Sequence, residues 1–287
     1  MAEIRDEVTR ILTYKTDTSS ILIVTMPTNL TPAEFRCIFD PSIDCLCEGC
    51  DSGQLIFKEM PHVEYNDAYY DVFKVKINNA LVNSFNIRTN QGGLSEENYF
   101  NLLSNSLNSR FFAITSSIVD KSCNPIGLCI SGGRTENNIN LNHGAGNKGN
   151  FYLENNGIFS IGADGNVSIR NSSTFNSSIH YNYAIQSGPM LIDNGAINSN
   201  FGEYSQSTYV RCGVGISNEN DGVWLVFIKS EEPLNFFHFA KVFKDAYHCS
   251  NALNLEGGDF CSMHLPSVSY AYRQNLSVCR YLVINVP

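Results

Sequence analysis

Between residues 131 and 182 the chain is punctuated by Gly, Asn and Ser so often that it reads as hairpin after hairpin. The stretches "NNGIF" and "ADGNVSI" place Asn-Gly and Asp-Gly between short apolar runs. Those dipeptides supply the positive-φ backbone that tight two-residue turns require. A β-meander is predicted here, and it sets the character of the whole chain.

Strand signals continue on either side. "SSILIVTM" (19–26) and "YDVFKVKI" (70–77) are β-branched and partly alternating, and "FFAITSSIV" (111–119), "GVWLVFI" (222–228) and "RYLVINV" (280–286) read as buried strands. Two helices interrupt them. "LSEENYFNLLSNSLNSR" (94–110) opens on Ser95 and two glutamates, as a capped helix does. "LNFFHFAKVFKDAY" (234–247) carries Phe236, Phe239, Ala240 and Phe243 on one face. The expected class is α+β: a mixed, strand-rich twisted sheet with helices packed on one side. With no repeat or long low-complexity tract, a single domain over 1–287 is expected, its first 110 residues strand-rich.

Composition excludes several roles. Hydrophobic residues make up 43% and charged residues 16% of the 287, which suits a globular chain rather than a disordered one. A net charge of −9 argues against binding nucleic acid polymers or anionic membranes, which requires Lys and Arg to neutralise phosphates. No stretch approaches the ~20 apolar residues that span a bilayer. "MAEIRDEVTR" lacks an apolar leader core, so a cytoplasmic location is expected, or a secreted one if a leader was removed. Ten cysteines and five N-x-S/T sites would suit secretion, but without a leader reduced thiols are the expected state. A homo-oligomer is compatible with the sequence.

Three apolar strands are broken by polar groups. "NALNLEGGDF" (251–260) stops at Glu256, Gly257 and Gly258, an arrangement that lets a ligand approach the backbone. A solvated turn would look the same. "AIQSGPMLIDNG" (184–195) is interrupted by Gln186, Ser187 and Gly188, and "YVRCGVGI" (209–216) by Arg211. An arginine in an apolar strand needs an anionic partner, either a phosphate or a structural Asp or Glu. Cys45, Cys47 and Cys50, with Cys37 nearby, lack the second pair that a standard zinc site needs. The six histidines show no metal-ligand spacing, and His238 reads as a core or boundary residue. No metal and no cofactor is expected. "SGGRTENN" (131–138) is not a nucleotide P-loop, and no G-x-S-x-G elbow is present.

Five collinear segments resemble the phosphodiester glycosidase family. "FFAITSSIVDKSCNPIGLCISGG" (111–133) is similar to the family's "FAxNAGMFxxxxxPxGLxIxxG", and "GNFYLENNGIFSI" (149–161) to "GNFYLxPNGVFxI". "AIQSGPMLIDNGAI" (184–197), "VRCGVGI" (210–216) and "NFFHFAKVFKDAYHCSNALNLEGGDFCSMHLP" (235–266) match its later motifs in order. Coverage runs from about 111 to 266; the first 110 residues carry no matching motif.

The resemblance implies a phosphodiester-glycosidase-like fold and a hydrolase acting on a phosphodiester-linked glycoside or a nucleotide-like phosphodiester. Glu256 then takes the place of the family's strand-end Asp, and Arg211 neutralises the phosphodiester. Gln186, Ser187 and the Gly188 backbone hold its oxygens or the sugar, with Asn150 at the family's Asn and Gly257 beside the substrate. Thr115, Ser116, Gly258, Asp259 and Ser262 are further implied binding positions, and Asp259 or Asp193 is a candidate second carboxylate. The chain departs from the family at Thr115-Ser116-Ser117, where Asn-Ala-Gly is usual, at Glu256 for Asp, and at Cys212 for Asn. Those departures leave a second reading: a homologue that captures a small phosphodiester without cutting it.

Overall fold

The computed structural model describes residues 54–107, 110–142, 149–153, 156–268 and 277–287, with two backbone strands nearer the start. Two compact units divide the chain, 1–52 and 53–287. In the first, β1 (Ile11–Lys15) and β2 (Ile21–Thr25) form an antiparallel pair. The cysteines at 37, 45, 47 and 50 and His143 lie outside the described residues.

The second unit is built mostly of strands. One sheet has seven: β3 (Phe57–Tyr65), β4 (Ala68–Lys76), β12 (Met190–Asp193), β13 (Ala196–Ile197), β14 (Cys212–Glu219), β15 (Gly222–Ser230) and β16 (Cys249–Asn254), ordered β13-β12-β16-β14-β15-β4-β3. The stretch read as a meander lies in a five-stranded sheet of β7 (Cys129–Ser131), β8 (Arg134–Asn137), β9 (Gly157–Gly162), β10 (Val167–Asn171) and β11 (Tyr181–Ser187), ordered β10-β9-β11-β7-β8; it is two hairpins bridged by β11 rather than a meander. A four-stranded sheet joins β5 (Phe85–Thr89), β6 (Arg110–Thr115), β17 (Met263–His264) and β18 (Arg280–Val286), ordered β17-β6-β18-β5.

Every strand pairing described is antiparallel, which corrects the expectation of a mixed sheet. Topology gives the reason. The chain crosses from β15 to β16 through a helix, α3 (Phe236–Lys241), but β14 lies between those two strands and pairs with both. Strands β15 and β16 therefore run parallel without touching. The other helices are α1 (Asn79–Ser84), capped by Asn78 accepting from Leu81 N–H at 3.0 Å, and α2 (Glu96–Leu107). As predicted, Ser95 Oγ accepts from the N–H of Asn98 at the start of α2.

Alternation along β6 places its two faces in different cores. Phe112 and Ile114 enter the central core, where Phe112 stacks on Phe73 at 4.0 Å, while Phe111 and Ala113 face the α2 residues Tyr99, Phe100 and Leu103. Truncating Phe112 to Ala would cost about 3–5 kcal/mol. The helix α3 packs instead on the seven-stranded sheet, through Phe239 and, just beyond its end, Phe243. Helices α2 and α3 thus cover different sheets rather than one side of a single sheet. Phe239 and Phe243 come close because Gly213 and Gly215 have no side chain: a Cβ at 215 would lie 2.7 Å from both Phe243 and Cys249. That contact explains the glycines of "RCGVGI".

Candidate active site

Strands β14 and β16 deliver the two charged groups singled out in the sequence. Their last paired row is Gly213 opposite Asn254. Beyond it the chains stay side by side, Leu255 N–H donating to Cys212 O and Gly258 N–H to Val210 O, each at 2.8 Å. Arg211 and Glu256 sit in this extension.

Glu256 is drawn toward the end of β6 by its own N–H, which donates to Ser116 O at 2.9 Å. Its carboxylate accepts the N–H of Gly257 at 3.1 Å. Burial raises its pKa, and the neighbouring backbone N–H groups, Gly257's first, partly oppose the rise. It lines a cavity of about 330 Å³ with Ser117, Asp120, Lys121, Phe260 and Arg280, and the Cys123–Cys279 disulfide forms part of the wall. Asp120, held by backbone and side-chain bonds from Asn124 and by the N–H of Ser122, has a lowered pKa. Environment thus pushes the two carboxylates of one cavity in opposite directions.

Arg211 is 1% exposed. Its Nε donates to Leu234 O and its Nη2 to Ser207 O, each at 3.1 Å, and its guanidinium lies 3.8 Å from the centre of the Phe236 ring. No carboxylate pairs with it among the described residues. Burial lowers its pKa to about 10, so it remains a cation at neutral pH. Arg211 is absent from the lining of the Glu256 cavity. Ser207 and Phe236, which hold it, line a second cavity of about 330 Å³ together with Asn150. The expected cleft is therefore two neighbouring cavities reached from one pair of strand ends.

Four buried polar groups at the ends of β6, β11 and β16 lack partners. The hydroxyls of Ser116, Ser117 and Ser187 and Oδ1 of Asn254 are buried and make no hydrogen bond among the described residues. Asn254 Nδ2 donates to Gly188 O, which ties the Ser187–Gly188 corner to the end of β16. Buried polar atoms left unsatisfied are costly, and a ligand is one explanation for them.

Other expected positions serve the protein itself. Gln186 has spent its amide: Oε1 accepts from Leu128 and Asn140 N–H, and Nε2 donates to Asn140 O and Asn156 Oδ1. It fixes the loop before residue 140 and has no capacity left for a ligand, a correction to the sequence reading. Thr115 Oγ1 accepts from Ser262 N–H and donates to Phe260 O, pinning the loop after Glu256, while Ser262 Oγ bonds to Glu96. Gly257 lies beside Val210 O, and Gly258 adopts φ +64°. Asp259 is exposed, and Asp193 lines a separate cavity with Arg170 and Asn251. His238 is exposed rather than a core or boundary residue.

Sequence reasoning did not single out Asp120, Lys121 or Arg280 as site residues. Nor did it pair the cysteines. Cys212 is bonded to Cys261 and Cys123 to Cys279, contrary to the expected reduced thiols, whereas Cys129 and Cys249 are free and buried. Among the described residues no group of His, Cys, Asp and Glu is arranged to hold a metal ion. No described helix is long and apolar enough to cross a membrane.

The model of the phosphodiester glycosidase family matches residues 106–282. The chain belongs to this family. Membership supports the expected hydrolase of phosphodiester glycosides, and the matched span contains both charged groups. An uncharacterised Escherichia coli K12 protein, YigE, is 34% identical over 145 residues. That match covers 50% of this chain and 54% of YigE, so the chain spans about half the length of this curated relative. The fold is similar to the catalytic domain of zebrafish N-acetylglucosamine-1-phosphodiester alpha-N-acetylglucosaminidase, solved in a form auto-inhibited by its pro-peptide. The TM-score is 0.54 at 16% identity, over 81% of this chain and 84% of that one.

Proposed function

We propose that this phosphodiester glycosidase cleaves a sugar-1-phosphodiester, with Arg211 at the phosphate and Glu256 at the anomeric carbon. The observation that carries this reading is a buried guanidinium with no carboxylate partner among the described residues, fixed by two carbonyls and a phenyl ring. An uncompensated buried cation is costly, and an anionic ligand is the compensation it suits. The bond between the anomeric carbon and the phosphate oxygen breaks, and the phosphate monoester leaves with the electron pair. Arg211 stabilises that departing charge. Ionised Glu256 supports the oxocarbenium-like centre, either as nucleophile or as base toward the water that ends on the sugar.

Incubating the protein with a panel of sugar-1-phosphodiesters and following free sugar and phosphate monoester by mass spectrometry tests this. Products are expected from wild type and not from Arg211→Ala. A panel left intact by wild type would overturn the hydrolase reading.

One observation favours a second reading, in which the protein binds a small phosphodiester without cutting it. The Glu256 carboxylate already accepts the N–H of Gly257, and misplacing a catalytic group by about 1 Å costs roughly a hundredfold in rate. Intact ligand that co-purifies and is released unchanged on denaturation would support it.

A further inference from the structure

The second cavity has a chemistry of its own. Its volume of about 330 Å³ falls within the ~300–1,000 Å³ typical of small-molecule sites. Phe236 is not its platform: one face carries the Arg211 guanidinium, and the ring stacks with Phe201 at 5.1 Å. Phe201 and Phe237, both partly buried, supply the remaining aromatic surface. Asn150 and Asn200 line the same space, and their side-chain amides make no hydrogen bond to the described residues. None of the lining residues carries a charge.

Phenyl rings beside neutral amides suit a planar heteroaromatic ring better than a polyol. A base stacks on the rings and turns a mixed donor–acceptor edge toward amides, which carry both groups themselves. A sugar offers no π face, and its hydroxyls find no charged acceptor here. Arg211 donates to Ser207 O in the cavity wall, so a phosphate at the guanidinium would adjoin this space.

We propose that this cavity is the subsite for the alcohol half of the phosphodiester, and that the alcohol is a nucleoside whose base contacts Phe201 and Phe237 and meets Asn150 and Asn200. This rests on the assignment of Arg211 to the phosphate. Calorimetry with adenosine monophosphate, mannose 6-phosphate, methyl phosphate and inorganic phosphate tests it on the full chain without requiring turnover. Adenosine monophosphate is expected to bind roughly tenfold more tightly than methyl phosphate, the scale of one base–aromatic stack. Phe237→Ala is expected to remove most of that preference. Asn200→Ala, in an exposed loop, provides a second variant should Phe237→Ala fail to fold.

Equal affinity for adenosine monophosphate and methyl phosphate would overturn the subsite and leave the phosphate assignment standing. Tighter binding of mannose 6-phosphate would overturn the nucleoside in favour of a sugar. If none of the four binds wild type, the assignment of Arg211 fails and the subsite fails with it.

Discussion

The backbone N–H of Glu256 donates to the carbonyl of Ser116 at 2.9 Å, so the segment that follows β6 holds the charged group that ends β16. The acid is buried but not isolated, and the direction of its pKa shift has consequences that can be measured.

Glu256→Gln is expected to abolish product release while retaining the intact diester. At neutral pH the variant should melt at or above wild type. Burial raises the Glu256 pKa, so the native state holds the proton more tightly than the unfolded chain does. Its stabilising contribution is full below the ordinary glutamate range and is lost as pH rises through the folded pKa. Thermal melts of both proteins from about pH 4 to pH 8 should show the gap opening in favour of Gln as pH rises. A wild type that gains on the variant over that range would contradict the shift. If ionised Glu256 is required, the acid limb of kcat/KM also lies above the ordinary carboxylate range.

Arg211→Met keeps an unbranched side chain against Phe236 and removes the charge. Apolar replacement of a buried charge is often neutral or stabilising, although here two carbonyls lose their donors at about 1 kcal/mol each. The variant is expected to fold, with product formation reduced roughly 10²–10³-fold. Retained activity would remove Arg211 from the phosphate.

Gln186→Leu removes four hydrogen bonds at once and leaves the Leu128 and Asn140 N–H groups without their acceptor. A loss of about 3 kcal/mol is expected, the sum of a few orphaned buried groups. Urea unfolding measures it, and a loss below about 1 kcal/mol would return Gln186 to the ligand.

The secondary structure was legible where local chemistry and packing agreed. The "ADGNVSI" turn, the Ser95 cap and the Phe face of α3 all point the same way as the final fold, whereas Gly157 of "NNGIF" opens strand β9 without the positive φ of a tight turn. Strand β3 was not legible. It contains Pro61, its pairing slips between Met60 and Val63, and it lies at the edge of its sheet, where proline is tolerated. Within the site, Arg211 and Glu256 stood out because charge in an apolar strand needs a reason. Gln186 stood out on the same grounds, yet its partners are backbone groups of a distant loop that no local pattern reveals. Lys121 and Asp120 belong to a stretch that reads as an ordinary polar turn, and Arg280 as the polar start of a strand. The pairing of β6 with β18 brings Arg280, and the Glu256–Ser116 backbone bond brings the turn at Asp120 and Lys121, to one cavity.

Gly157→Ala tests the close approach of two sheets. A Cβ there would lie 2.2 Å from the Met190 sulfur and 3.0 Å from Leu253. Methionine is pliable, so a cost of about 1–3 kcal/mol is expected rather than complete unfolding. A melting temperature equal to wild type would show that Met190 moves aside freely.

The Cys212–Cys261 bond closes a separation of 49 residues. Cys261→Ser is expected to cost about 2–4 kcal/mol. Because Cys212 follows Arg211 directly and Cys261 lies in the loop after Glu256, phosphate affinity should fall as well. Calorimetry with inorganic phosphate separates that local loosening from the global loss seen in a melt.

The strand β18 occupies the interior of its sheet, between β6 and β5, although it is the last strand described. As the polypeptide leaves the ribosome, β5 and β6 emerge long before the strand that must slot between them. Until then Ser116, whose N–H is destined for the Arg280 carbonyl, has nowhere to anchor, and one wall beside Glu256 is missing. The wall of the cavity beside Glu256 is thus complete only when residues 280–286 lie between β5 and β6.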